Sequence, residues 1–168
     1  MQISETTKSD FRAFWPVFKD IVEAQETYAI DPAIDVEAAY QLWCISPHKS
    51  FVIKEDNNVL GTYYLKANAS GPSAHIANCG YMVSPASRGK GLARTLCLHS
   101  QRTALALGYT AMQFNSVIST NQVAVNLWKK LGYNIIGTIP NAYHHKQHGL
   151  VDAFIMHKAL SPIDDTNS

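Results

Sequence analysis

The sequence has little charge and almost no excess of either sign: charged residues make up 16% of its 168 residues and the net charge is +1. So neutral a chain sets up no whole-molecule field toward nucleic acid or membrane, and any anion recognition must be local. It contains no apolar run of the length that spans a bilayer. The amino-terminal Met-Gln-Ile-Ser-Glu-Thr-Thr lacks the basic and apolar regions of a secretory leader. The expected location is cytoplasmic, with neither membrane nor nucleic acid as partner. Cysteine is scarce too. Cys44, Cys79 and Cys97 are odd in number, widely spaced and set among apolar residues. Reduced core thiols fit that pattern, which offers no metal-ligand spacing, so neither a metal nor a disulfide is expected.

What is present is the material of one domain: 46% of the residues are hydrophobic, enough to bury a core at this length. The expected domain covers residues 1–160, followed by a polar tail over 161–168. The chain is organised around Val83 to Tyr109. There Gly89 and Gly91, flanked by Arg88 and Lys90, open into a helix near Leu92. Unhindered backbone N–H groups, cationic side chains and a helix N-terminus converge in such a turn, which suits it to hold a phosphate.

Periodicity supplies the rest. A strand over Gln2–Thr6 precedes a helix capped by Ser9 or Asp10 and running to about Gln25, with Phe11, Phe14, Trp15, Phe18, Ile21 and Val22 inside. The polar and aromatic segment from Glu26 to Pro32 can wall a pocket, and a second helix is expected over Asp35–Ile45. A hairpin follows, Phe51–Lys54 and Val59–Leu65 around Asp56-Asn57-Asn58. After a loop over Ala67–Ser73, a strand spans His75–Val83, where Gly80 marks a bulge or a close backbone approach. The central helix reaches Leu107 with Gly108 as its cap, and its expected inner face is Ala93, Leu96, Cys97, Ser100, Ala104 and Leu107. Then come a strand over Ala111–Val117, a helix from Ser119-Thr120-Asn121 to Leu131, a strand over Tyr133–Ile139, a loop over Pro140–His148 and a strand over Leu150–Lys158. The order predicts a mixed α/β (α+β) sheet with helices on both faces.

The run from Tyr81 to Ala93 resembles the acetyl-CoA signature of the GNAT superfamily of N-acetyltransferases, with Arg88, Gly91 and Ala93 at its defining positions. A second block, Asn121 through Ala-Val-Asn-Leu-Trp-Lys-Lys-Leu-Gly to Tyr133, resembles that superfamily's downstream motif. The resemblance implies a mostly antiparallel sheet of about seven strands whose central strands splay. It also implies acetyl-CoA as donor. Arg88, Gly89, Lys90, Gly91, Leu92 and Ala93 would hold its pyrophosphate, and the backbone of Tyr81, Met82 and Val83 would pair with the pantetheine arm and, at a bulge, aim one N–H at the thioester oxygen. Asn121 matches an asparagine that bonds the pantetheine and is assigned to the cofactor on that ground, a plain helix N-cap being the alternative. Trp128 stands where the superfamily often has a tyrosine that protonates the departing thiolate. An indole N–H is a donor and not a useful acid, which leaves that role to solvent or to a group such as Tyr143 or His145.

A narrower resemblance, carried by Glu26–Ala29, His75–Val83, Met112–Asn115 and Gly137–Pro140, is to fungal N-acetyltransferases of proline analogues such as azetidine-2-carboxylate. It implies that Asn78 and Asn115, on adjacent central strands, position the acceptor as catalytic residues. Tyr28 and His75 join them as substrate-binding candidates. The alternative for each asparagine is a hydrogen-bonded strand residue. The expected activity is acetyl transfer to the amine of a small molecule, an amino acid or proline-like imino acid, by direct attack and without a covalent enzyme intermediate. Acetylation of a protein N-terminus or lysine, and a non-catalytic acyl-CoA sensor, are the competing readings. The superfamily's habit of homodimerisation extends to this chain as an expectation with no surface named.

Overall fold

The computed structural model describes residues 1–161, so all but the first residue of the expected polar tail lies outside the described residues. Seven strands form one sheet: β1 (Gln2–Glu5), β2 (Lys49–Glu55), β3 (Asn58–Ala67), β4 (Ile76–Val83), β5 (Ala111–Ile118), β6 (Asn134–His145) and β7 (Gly149–Ala159). Their order is β1-β2-β3-β4-β5-β7-β6. Only β4 and β5 run parallel, and the crossover that such a pair requires is made by α3 (Leu92–Ala106).

Local chemistry sets the element ends. Helix α1 (Lys8–Ala24) is capped by Thr7 rather than by Ser9 or Asp10. The Thr7 hydroxyl accepts from Asp10 N–H at 3.1 Å while the Asp10 carboxylate accepts from Thr7 N–H at 3.1 Å, a reciprocal capping box. Asp35 caps α2 (Val36–Tyr40), which widens into a π-helical turn at Gln41–Ile45 where a single α-helix was expected. The β2–β3 hairpin closes on two residues, Asp56 and Asn57, both at positive φ (48° and 72°), the geometry that matches strand twist.

Side-chain alternation along β4 divides the core. Ala77 and Cys79 join Leu65, Leu96, Met112 and Phe114 on the face covered by α3 and by α4 (Gln122–Lys130). Met82 turns the other way, into an aromatic layer of Phe11, Phe14, Phe18 and Trp43 beneath α1 and α2. Burying each of those rings contributes about 2–3 kcal/mol. On α3 the buried face differs slightly from expectation: Leu92 and Gln101 are inside, whereas Leu107 is 38% exposed. Gln101 is accommodated because its Oε1 accepts from Lys158 Nζ at 2.8 Å.

Two departures shape the functional region. The expected loop over Pro140–His148 is largely strand: β6 continues to His145 and pairs Tyr143 with Val151 and His145 with Gly149. Pro140 and Asn141 sit at a register irregularity on this edge strand, where a residue without an N–H costs no ladder bond. The expected bulge in β4 is likewise absent. β4 keeps one-to-one register with β3 from Ala77 to Val83, and the irregularity lies in β5, between Phe114 and Val117. Gly80 serves a close approach instead: a Cβ there would stand 2.5 Å from Tyr64 Cε1.

Candidate active site

The parallel strands β4 and β5 are joined only at Ile76–Ala111 and Ala77–Met112. Beyond those pairs they separate, and a cleft of about 990 Å³ opens between them. The orientation of the exposed backbone follows from alternation. Ile76 O accepts from Asn68 N–H and Ser84 N–H donates to Leu60 O, so the even-numbered residues of β4 turn their amides toward β3. Cys79, Tyr81 and Val83 therefore turn theirs to the gap.

At one end of the cleft lies the glycine turn. A short 3₁₀ turn at Pro85–Ser87 leads into it, and Gly89 and Gly91 adopt φ of 81° and 72°. Nothing stands within 4 Å of where their Cβ atoms would be, so it is the left-handed backbone, not crowding, that calls for glycine. Gly91 is the N-cap of α3 and supplies no side-chain bond, which leaves first-turn N–H groups free to meet an anion. Arg88, Gly89, Gly91, Leu92 and Ala93 line the cleft, as do Met82 and Val83. Lys90 does not; its Nζ is 3.9 Å from a Glu55 carboxylate oxygen. Arg94, which the sequence reading omitted, does. Its place in the first turn after Gly91 was the available signal.

The walls are aromatic on one side and polar on the other. Trp128, buried, packs its ring 5.1 Å from Tyr81 and 5.2 Å from Phe114. Asn121 both lines the cleft and caps α4, its Oδ1 accepting from Ala124 N–H at 3.2 Å. Across from them a chain of amides crosses the opening. Tyr64 OH donates to Asn78 Oδ1 (3.1 Å), Asn78 Nδ2 to Gln113 O (2.9 Å), Gln113 Nε2 to Asn115 Oδ1 (3.0 Å) and Asn115 Nδ2 to Asn68 Oδ1 (2.7 Å). Asn78 is 5% exposed and tied to protein through both ends of its carboxamide, whereas Asn115 is exposed at the rim. The structure thus brings the two asparagines into one network but gives them different settings.

Beyond this network the cleft continues under Tyr28, Ile30, Trp43, Tyr64 and Lys66. The Tyr28 hydroxyl donates to Tyr81 O, one of the gap-facing carbonyls. Burial pushes the Tyr28 phenol well above its ordinary pKa, so it stays a donor at neutral pH. Its backbone is held in turn by Tyr143 OH, which donates to Tyr28 O at 3.1 Å, and the neighbouring Gln25 O accepts from Lys146 N–H at 3.1 Å. Those bonds strap the β6–β7 tip to the segment after α1 and bring buried His145 to the cleft, its Nδ1 accepting from Gln147 N–H at 3.1 Å. Trp43, Tyr64 and Lys66 were not singled out from sequence, although Thr62, Tyr64 and Lys66 share one face of β3 by simple alternation. His75 is outside the cleft lining: it is exposed, with Nδ1 3.1 Å from Pro72 O. Cys79 lines the cleft, but burial holds its thiol well above the ordinary range, protonated and poorly nucleophilic. Among the described residues no cluster of His, Cys, Asp or Glu can hold a metal ion, and no helix is long and apolar enough to cross a membrane.

A sheet split at its parallel pair, with a glycine turn and helix N-terminus at the mouth of the split, is an arrangement suited to receive an extended ligand that carries a phosphate. Residues 11–133 match the acetyltransferase (GNAT) family, and the chain belongs to that family. It is 36% identical over 109 residues to N-acetyltransferase aca1 of Schizosaccharomyces pombe, a stretch that makes up 64% of this chain and 52% of that protein. The match thus spans about half the length of that relative. A GCN5-related N-acetyltransferase from Kribbella flavida superposes with a TM-score of 0.89 at 42% identity, covering 95% of this chain and 97% of that one. In fold alone, the phosphinothricin acetyltransferase of Sinorhizobium meliloti, solved in complex with AcCoA, is also close (TM-score 0.81, 20% identity, 95% and 88% covered).

Proposed function

We propose that this acyltransferase uses acetyl-CoA to acetylate the amine of a small molecule, an amino acid or proline-like imino acid. The observation that carries the reading is the divergence of β4 and β5 past Ala77–Met112, which leaves backbone amides of β4 facing a cleft with a cationic glycine turn at one end and a walled aromatic end at the other. The bound AcCoA of the Sinorhizobium meliloti relative supports the choice of donor. Acetyl-CoA supplies an activated thioester, and in the transfer the amine nitrogen bonds to the acetyl carbon as the C–S bond breaks, the amine losing one proton to water and the thiolate gaining one.

This chain's residues position and polarise. Arg88, Arg94 and the N–H groups of Gly89 to Ala93 take the pyrophosphate charge. The gap-facing backbone of Cys79, Tyr81 and Val83 receives the pantetheine arm and directs an N–H at the carbonyl oxygen where charge develops, a donor that needs no bulge in β4 because strand alternation alone aims it. Trp128 walls the thiol side and provides no acid. Asn78 holds the opening, and Asn115 at its rim is the carboxamide that contacts the acceptor. Tyr28, fixed by Tyr81 and Tyr143, limits the space for that acceptor and so favours a small one.

The test is CoA release from acetyl-CoA across proline analogues, other amino acids, polyamines and peptide N-termini, repeated with Asn115→Ala. Turnover with a small amino or imino acid, lowered at least about tenfold in Asn115→Ala with acetyl-CoA affinity retained, is expected. Turnover confined to peptide N-termini, or a rate that ignores Asn115→Ala, contradicts the assignment.

A further inference from the structure

The aromatic end of the cleft contains a cation with no carboxylate partner among the described residues. Lys66 lies directly across from Asn78 in the β3–β4 ladder, is exposed, and lines the cleft. Its Nζ rests over the Tyr64 ring, 5.4 Å from the centroid. Lys8, Lys19, Lys49, Lys54 and Lys90 each have a carboxylate oxygen within ion-pair distance. Among the described residues Lys66 has none, as is also true of Lys129, Lys130, Lys146 and Lys158, but of these unpaired lysines only Lys66 lines the cleft. The cleft lining contains one carboxylate, Glu26, which accepts from Gln147 Nε2 at 3.4 Å.

Placement makes this charge meaningful. Alternation along β3 puts Lys66 on the same face as Tyr64, whose hydroxyl donates to Asn78, and as Thr62, which accepts from Trp43 Nε1 at 3.1 Å. Lys66 is therefore anchored to the aromatic wall at the end remote from Arg88 and Arg94. The ring quadrupole steadies the ammonium, while the side chain as a whole stays exposed and lines the cleft. At the wall of a cleft an ammonium with no carboxylate partner attracts an anionic group of whatever binds there.

We propose that Lys66 selects acceptors that carry a carboxylate beside the amine, binding that carboxylate by a charge-assisted hydrogen bond while the amine points into the gap between β4 and β5. This inference rests on the acetyl-transfer reading above. It assigns to Lys66 binding and specificity only, with no bond made or broken at the lysine. The substrate class it names is the free α-amino or α-imino acid, as distinct from its amide or ester and from the polyamines.

The experiment compares wild type, Lys66→Met and Lys66→Arg in CoA release, using matched pairs: L-proline with L-prolinamide, and azetidine-2-carboxylate and several α-amino acids with their carboxamides. Calorimetry with acetyl-CoA reports that each variant is folded and still takes the donor. Wild type is expected to favour acid over amide in kcat/KM by about tenfold or more, and Lys66→Met to lose most of that ratio through a raised KM for the acid. Lys66→Arg, which keeps the charge, is expected to keep the preference for the acid. An acid-to-amide ratio equal in wild type and Lys66→Met overturns the inference. So does a Lys66→Met change confined to acetyl-CoA affinity, which would place the lysine on the donor. Acetylation only of amines without a carboxylate overturns it while leaving the acetyltransferase reading standing, whereas absence of CoA release with every amine overturns both.

Discussion

Asn78 on β4 donates to the Gln113 carbonyl on β5 at 2.9 Å, one residue beyond the last ladder pair, Ala77–Met112. The bond is a side chain standing in for a missing rung, placed where the strands part. Asn78→Ala would leave the Gln113 carbonyl and the Tyr64 hydroxyl without their partner at a site that is 5% exposed. A stability loss of about 1–3 kcal/mol is expected in denaturant unfolding, along with reduced turnover as the opening loses its tie. Asn78→Asp should be no better, because a carboxylate cannot donate to Gln113 O; a variant with wild-type stability and rate would refute the tie.

Gly91 belongs to the turn proposed to hold the donor. At φ 72° with open space around it, an added side chain meets backbone strain rather than neighbours. Gly91→Ala is expected to cost about 1–2 kcal/mol and to distort the start of α3, weakening acetyl-CoA binding in calorimetry by at least about tenfold. Unchanged affinity would move the pyrophosphate away from this turn.

Cys79 offers a contrasting outcome. Its thiol lines the cleft yet is held protonated by burial, so direct attack by the amine needs nothing from it. Cys79→Ala is expected to keep most of the turnover, and intact-mass spectrometry after mixing with acetyl-CoA alone should find no acetylated protein. A stable acetyl adduct on Cys79 would establish a two-step route.

Asp10 gives a pH signature remote from the chemistry. Burial tends to raise its pKa, but hydrogen bonds from the Thr7 hydroxyl and amide and from Lys54 outweigh that and hold the carboxyl below its ordinary range. A depressed folded-state pKa contributes stability that is complete above the unfolded value and disappears as pH falls through the folded one. The thermal midpoint difference between wild type and Asp10→Asn should therefore be largest near neutrality and shrink as pH falls through and below the ordinary aspartate range. A constant difference across that range would deny the charge a role.

The glycine turn was legible in sequence because it is written in local conformational needs. Only glycine readily takes the backbone of residues 89 and 91, and Arg88 and the apolar period of α3 bracket it. The aromatic end of the cleft was less so, since its parts meet only through sheet order. Lys66 joins the cleft by pairing across to Asn78, and His145 arrives because β6 runs on through Pro140, a residue that reads as a loop signal unless the strand is known to be an edge. His75 misled for the complementary reason. It is adjacent to β4 in sequence, but its exposed ring lies beside Pro72 and not at the opening.

The central claim is acetyl transfer within the split between β4 and β5. Its most direct test is to incubate the full chain with acetyl-CoA labelled in the acetyl group and the amine panel, and to quantify N-acetyl product and free CoA by mass spectrometry. The account predicts equal amounts of labelled N-acetyl amino or imino acid and CoA, with none of either when the amine is left out. CoA formed without an acetylated amine, or acetyl-CoA bound and left intact with every amine supplied, would contradict it.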